Sequence, residues 1–384
     1  MSCPACREPA KFQGYRTKTL VGLTGPIAVE RPYYHCPHCH SGHYPGDEAL
    51  AQGHPTLTAG AERVVAYVGT IGPFAQARAT LAETAGLRLA ESTVERATEA
   101  AGQRLGVLLS EGHTLGPAGA PAAWDWNTDA DGRRVAYVSV DATGVGIQGK
   151  GAAKAEGRMA YVGMVYDAEA FDPDSSDDSR PIERARYLAG FHGLDELGAQ
   201  LRRQAGQVGM GAADRWVGLS DGGNGLDEFF RVYFPRAELI LDFPHAAGHL
   251  AELARAWGGG PAAVAERLDG WCHAMKHEGG AAVLARLEGL DRSGLGPEAS
   301  ERYRLVAGYL RRNAYRMDYP SYRAKGWQIG SGSMESGCKA VVCQRLCGAG
   351  MRWGGDGADA VCHLRALVRS EPGQWEAFWN RCIN

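Results

Sequence analysis

The chain has 384 residues, 45% hydrophobic and 22% charged, with 41 Lys and Arg against 44 Asp and Glu and a formal charge of −3. This suits a folded protein of two or three domains and excludes disorder, a collagen-like repeat and a small disulfide scaffold. No apolar run approaches the roughly 18–20 residues of a membrane span, and Met1-Ser2-Cys3-Pro4-Ala5-Cys6 lacks the layout of an export signal, so the expected location is the cytoplasm.

Four of the 10 cysteines fall in the first 39 residues, as Cys3-x2-Cys6 and Cys36-x2-Cys39. In a reducing compartment such pairs are metal knuckles rather than disulfides, and two knuckles supply four thiolates in the tetrahedral set that Zn2+ prefers. Between them Lys11 to Tyr34 alternates like short strands, so residues 1–50 are expected to form a zinc ribbon. His35, His38, His40 and His43 stand close enough in sequence to replace one thiolate. Whether the ribbon grips DNA, protein or only its own fold is left open by these residues.

Residues 60–110 are expected to be helical, with helix-turn-helix character: a helix from Ala75 to Ala85, a turn at Gly86-Leu87-Arg88-Leu89, and a second helix capped by Ser92. Ser92-Thr93-Val94-Glu95 has capping-box spacing, and Arg96 and Arg104 would lie on the second helix. A plain helical bundle fits the same pattern. Residues 112–133, rich in Gly, Pro and Ala, are expected to be a linker or long loop.

Strands are expected at Val135 to Val140, around Val145 to Gln148, at Arg158 to Tyr166, at Trp216 to Ser220 and at Ala237 to Asp242. Helices are expected at Leu194 to Gln207 and Asn224 to Tyr233, through most of residues 244–318, and at Ser333 to Leu346. That order suits an α/β fold with a mixed sheet flanked by helices. Gly144-Val145-Gly146-Ile147-Gln148-Gly149 matches a dinucleotide fingerprint and, with Lys150, nearly a phosphate loop. Both need a docking helix next, and Gln148 to Arg158 holds no large apolar residue, so a glycine-tipped hairpin is expected instead.

Three carboxylates stand at element ends: Asp141 after the first strand, Asp221 after Val-Gly-Leu-Ser, and Glu335 in the first turn of the helix opened by Gly330-Ser331-Gly332-Ser333. Converging carboxylates bind hard divalent cations such as Mg2+, which serve phosphodiester chemistry. Around these residues the chain resembles the DDE/D insertion-sequence transposases of the ISKra type and their Mutator-like relatives. The matching segments are Val138 to Gly144, Leu219-Ser220-Asp221-Gly222, Gly330 to Lys339 and Gly350-Met351-Arg352-Trp353. Leu241-Asp242-Phe243-Pro244-His245 also resembles the C/D-x2-H motif that follows the second Asp in those relatives.

The resemblance covers about residues 135–370. It implies an RNase H-like core in two parts, 133–245 and 326–384, with a helical insertion at 246–325. It further implies that Asp141, Asp221 and Glu335 hold Mg2+ or Mn2+ and are catalytic, with Asp242 and His245 supporting the site or contacting DNA. The implied reaction cleaves DNA at transposon ends and joins the 3′-hydroxyl to target DNA. The partner would be double-stranded DNA, the assembly a homodimer or larger, and the location the nucleoid. A DNA-binding regulator descended from such an enzyme, or a nuclease without strand joining, are the alternatives. Many relatives carry a basic residue seven positions after the glutamate, where this chain has Val342; Lys339 and Arg345 are the nearest cations. Trp327 and Trp353 are candidates for base stacking, and the tyrosines at 303, 309, 315, 319 and 322 for tracking DNA or for helix packing. Charge is uneven: residues 302–369 carry 12 Lys and Arg against four acids, a local +8 that leaves −11 elsewhere and is expected to face DNA.

Overall fold

The computed structural model describes residues 1–47, 54–116, 123–149, 155–172, 180–223 and 225–380. It divides into two compact units: Met1–Val107 with Arg352–Arg365, and Leu108–Met351 with Ala366–Asn384.

In the first unit an antiparallel sheet runs in the order β1 (Lys11–Gly22), β2 (Gly25–His35), β3 (Gly42–His43). Among the described residues three helices follow, α1 (Ala59–Ile71), α2 (Phe74–Ala85) and α3 (Glu91–Ser110). Their apolar faces meet in a core of Leu57, Ala61, Val65, Leu81, Leu87, Val94 and Ala97. Gly86, with φ 66°, ends α2 in a left-handed turn where the turn was expected. The expected capping box does not form. The amides of Thr93 and Val94 donate to the Ala90 carbonyl, so α3 starts at Glu91 and Ser92 lies inside its first turn. Of the two cations expected on this helix, Arg96 is exposed, while Arg104 is spent on the buried Glu62 at 2.8 Å.

The second unit is α/β. Its mixed five-stranded sheet has the order β6-β5-β4-β7-β8, with β4 (Val135–Ile147), β5 (Glu156–Ala168), β6 (Ile182–Gly190), β7 (Arg215–Ser220) and β8 (Ala237–Leu241). β4, β7 and β8 are mutually parallel, and β5 is antiparallel to both of its neighbours. Parallel neighbours need crossovers. Helices α4 (Leu194–Gln207) and α5 (Leu226–Tyr233) supply them, and Leu197 and Leu201 of α4 are buried with Val162, Val217 and Ile240 of the sheet. After β8 come α6 (Phe243–Ala256), α7 (Pro261–Glu278), α8 (Gly280–Glu288), α9 (Pro297–Asn313) and α10 (Tyr319–Ala324). α11 (Gly332–Cys338) runs into a π-helical turn at Lys339–Cys343 and a last turn at Gln344–Leu346. α12 (Gly355–Arg369) and α13 (Gln374–Trp379) close the described chain. Among the described residues no helix is long and apolar enough to cross a membrane.

Three expectations need correction. β4 is one strand, not two broken at Asp141, because β5 pairs with it without interruption from Tyr137↔Tyr166 to Ile147↔Glu156. The glycine-rich stretch from Gly144 is thus a hairpin arm, and Lys150 and Gly151 lie outside the described residues. β6 has no counterpart among the expected strands, since Ile182-Glu183-Arg184-Ala185-Arg186 is interrupted by charge. One of those charges is nevertheless interior: Arg186 is buried against Glu371 and Gln204. Finally, residues 123–133 form a loop, as expected, but one tied down by buried side chains rather than a free linker. Trp124 and Trp126 are buried, and the Trp126 indole donates to the Gly209 carbonyl at 3.1 Å.

Candidate active site and metal centre

The register of the parallel strands assembles the carboxylates. Ser139 of β4 pairs with Leu219 of β7, and Ser220 of β7 with Leu241 of β8. Counting one or two residues onward puts Asp141, Asp221 and Asp242 at the same level on three adjacent strands about 4.8 Å apart. The carboxyl ends of parallel strands are where open α/β sheets leave a crevice. β4 continues past this level while β7 ends, so Asp141 sits where the sheet opens.

Each carboxylate has its own surroundings. Asp141 is half-buried; it accepts the Ala142 amide at 2.7 Å and the Cys338 thiol at 3.8 Å. Burial first, and then the charge of Asp221, push its carboxyl above the usual range, while the Ala142 amide and His245 pull it back. Asp221 accepts the Gly223 amide at 2.8 Å, and its carbonyl receives the Tyr309 hydroxyl at 2.8 Å. Neither carboxylate has an ion-pair partner among the described residues. Between Asp221 and α5 the chain turns at Gly222, with φ 81°. A Cβ there would fall 2.9 Å from the Arg316 guanidinium and 3.0 Å from Leu241, so both backbone and space require glycine. Arg316 is itself buried, held by Asn313, the Ser220 hydroxyl at 3.2 Å and Asp227 at 3.0 Å.

Asp242 is buried and serves the backbone. It caps α6 by accepting the His245 amide at 3.1 Å and holds the glycine-rich turn by accepting the Ser331 amide at 2.7 Å. Burial raises its carboxyl, and those amides oppose the shift. The His245 ring lies 4.9 Å from His249, whose ring lies 4.2 Å from that of Tyr309. Burial, and then His245, depress the His249 imidazole.

Glu335 is brought near but not in. Its helix α11 packs against β4, and Cys338, one turn onward, touches Asp141. The Glu335 carboxylate is 66% exposed and pairs with Lys339 at 2.6 Å. Among the described residues, the acids and histidines here do not gather three ligand atoms within 4.8 Å. The other expected contacts resolve differently. Trp327 is 3% exposed; its indole donates to Asp129 at 3.0 Å and its ring stacks on Tyr322. Trp353 is buried edge-on to Phe74, so neither tryptophan offers a face to a base. Arg345 is 1% exposed and interior, not DNA-facing. Val342 is also buried, within the π turn, whereas Arg352 is exposed. Tyr303, Tyr319 and Tyr322 are packing residues, and Tyr309 reaches the backbone carbonyl of Asp221. Cys338 belongs to no recognisable metal motif, and its one signal in the sequence is the i+3 spacing from Glu335, which puts both on one helical face.

The four N-terminal cysteines do form a cluster, with all ligand atoms within 4.8 Å. Cys3 Sγ lies 3.6 Å from Cys39 Sγ, and Cys6 Sγ 3.5 Å from Cys36 Sγ. The two knuckles repeat one backbone pattern. Arg7 and His40, four residues after Cys3 and Cys36, have φ 67° and 59° and donate to those cysteines' carbonyls at 2.9 Å. The Cys3 and Cys36 amides donate in turn to Glu8 and Ser41, five residues on, at 2.8 Å. The Ser41 hydroxyl, then the Cys6 amide, lower the Cys3 thiol to about 6, and Ser41 also lowers Cys39. Such a set can hold a metal ion. The four histidines stand outside it.

No protein-family model matches the chain, and no curated protein matches it.

Proposed function

We propose that this chain is a DDE-type transposase of the ISKra type, built on an RNase H-like core and carrying a zinc ribbon. The observation that carries the reading is the pairing of Asp141 and Asp221. They stand at equal register at the mouths of adjacent parallel strands and lack a cationic side-chain partner among the described residues. Two carboxylates so placed repel each other, and a divalent cation is the natural relief. The mixed sheet, in the order β6-β5-β4-β7-β8 with β5 alone reversed, and its flanking helices support the proposed RNase H-like core. The helix bearing Glu335 packs on the central strand. The four thiolates suit Zn2+ in number and charge.

In this reading Asp141 and Asp221 are the fixed pair, and Glu335 completes the set by leaving Lys339, an exposed pairing worth only about 0.5 kcal/mol. Bound Mg2+ would activate the attacking oxygen and stabilise the leaving one. Asp242 holds the turn before Glu335 in place, and Tyr309 holds the Asp221 backbone. Element ends and target DNA would be the substrates, bound by a dimer or larger assembly.

The test uses linear duplexes carrying the DNA that flanks the gene, incubated with Mg2+ or Mn2+. Wild type is expected to cleave, and to join a supplied pre-cleaved 3′-hydroxyl end. Asp141→Asn, Asp221→Asn and Glu335→Gln should each lower cleavage by roughly a hundredfold or more without lowering the thermal midpoint. Cleavage that survives all three substitutions removes the metal-site assignment; cleavage without joining leaves a nuclease.

A further inference from the structure

We propose that Ser41 is a positioning residue of the cysteine cluster, whose hydroxyl bridges the two knuckles and sets how slowly a bound zinc ion leaves. The inference rests on the four thiolates holding zinc and is independent of the carboxylate site. The Ser41 hydroxyl oxygen lies 3.2 Å from Cys3 Sγ and 3.0 Å from Cys39 Sγ, and those two sulfurs lie 3.6 Å apart. Cys3 belongs to the first knuckle and Cys39 to the second. One side chain thus touches a ligand atom of each.

The backbone explains why the hydroxyl is held there. The Ser41 carbonyl accepts the Cys36 amide at 2.8 Å, the bond that closes the second knuckle. In the first knuckle Glu8 occupies the matching place, since its carbonyl accepts the Cys3 amide at 2.8 Å. The two loops share this backbone bond and differ in the side chain that follows from it. Glu8 is exposed, and an ionised carboxylate has no proton to offer a sulfur. A serine hydroxyl has one, and a thiolate accepts it in a charge-assisted hydrogen bond.

Burial decides where that bond matters. Cys3 and Cys36 are buried and Cys6 is half-buried, whereas Cys39 is exposed. A metal held by four thiolates is lost one sulfur at a time, and Cys39 is the sulfur that water and competing ligands reach first. Four thiolates on Zn2+ leave two surplus negative charges. A hydrogen bond to sulfur spreads that charge and fixes the ligand's orientation, as outer partners of metal ligands do. Ser41 supplies such a bond at the exposed corner and ties that corner to the buried Cys3.

The full chain loaded with one equivalent of zinc is mixed with excess chromophoric chelator, and zinc release is followed in time. Association is followed separately by adding zinc to the metal-free chain. Ser41→Ala, which keeps the backbone bond to Cys36, should speed release by about tenfold and leave association unchanged. Ser41→Thr, which keeps the hydroxyl, should release zinc as wild type does, and Glu8→Ala should release it no faster. In the Co2+-loaded chain, the sulfur-to-metal charge-transfer band of Ser41→Ala should move to lower energy. A thiolate without its hydrogen bond gives up an electron more readily, whereas loss of a merely structural contact would leave the band in place. Release from Ser41→Ala at the wild-type rate, or an unmoved band, overturns the inference. Equal acceleration by Glu8→Ala overturns it too, because a side chain at that place would then steady either loop without a hydroxyl. A wild-type chain that binds no zinc overturns the four-thiolate reading instead, and the two failures are distinguishable.

Discussion

Asp141, Asp221 and Asp242 stand at one register level, yet their surroundings give them different work. Asp242 accepts two backbone amides from different segments and is buried, so it belongs to the scaffold. Asp141 and Asp221 stand at equal register on adjacent parallel strands without an ion-pair partner among the described residues, the arrangement proposed for metal binding. A fourth aspartate shows what burial alone does. Asp167 is fully buried on β5, accepts the Asn127 amide at 3.2 Å and lies near Glu183. Burial foremost, and Glu183 after it, push its carboxyl from 3.8 up to about 6. Between those two values the folded chain holds a proton that the unfolded chain has released. Stability from this group is therefore greatest below pH 3.8 and falls as pH rises to about 6, then stays level. Asp167→Asn is expected to flatten that slope and to raise stability at neutral pH by on the order of 2 kcal/mol. Denaturant unfolding across roughly pH 4 to 7 measures both, and an unchanged slope would refute the assignment.

At the scale of elements, local sequence misled where a long-range partner decides. Asp141-Ala142-Thr143-Gly144 has turn-forming composition, but it stays extended because Val162, Tyr161, Ala160 and Met159 of β5 pair with it residue by residue. β6 was hidden because the partner that makes Arg186 tolerable inside, Glu371, lies 185 residues away. The same dependence sets a close approach in the first unit. A Cβ on Gly102 of α3 would stand 2.1 Å from the Ala360 carbonyl oxygen of α12. Backbone cannot yield as a flexible side chain does, so Gly102→Ala is expected to cost roughly 2–3 kcal/mol or more. A thermal or denaturant midpoint equal to wild type would mean that the helices separate freely.

For the molecule as a whole, the charge map changes once partners are counted. Of the twelve cations in residues 302–369, Arg316, Arg345 and Arg365 are buried. Arg302, Arg304, Arg311, Lys325 and Lys339 are paired with Glu252, Glu301, Glu288, Glu238 and Glu335. The +8 segment is thus largely neutralised within the chain, and it is not the broad basic face that its composition suggests. The cluster of four cysteines, if it holds zinc as proposed, makes a separate prediction at this scale. Structural zinc contributes on the order of 10 kcal/mol to the fold it closes. Stripping the metal with a chelator should abolish amide protection in residues 1–47 and preserve it in β4 to β8. Protection retained in β1 and β2 without metal would show that the sheet stands unaided.

The cysteine knuckles, the turn after α2 and the chain positions of Asp141, Asp221 and Glu335 were legible from the amino acids alone. A knuckle closes through hydrogen bonds over four or five residues, and that information is local. Tertiary structure alone decided that three aspartates share a register level and that Trp327, Trp353 and Arg345 face inward. Register, burial and ion pairing are properties of two segments at once, and in this chain the second segment often lies a hundred or more residues from the first.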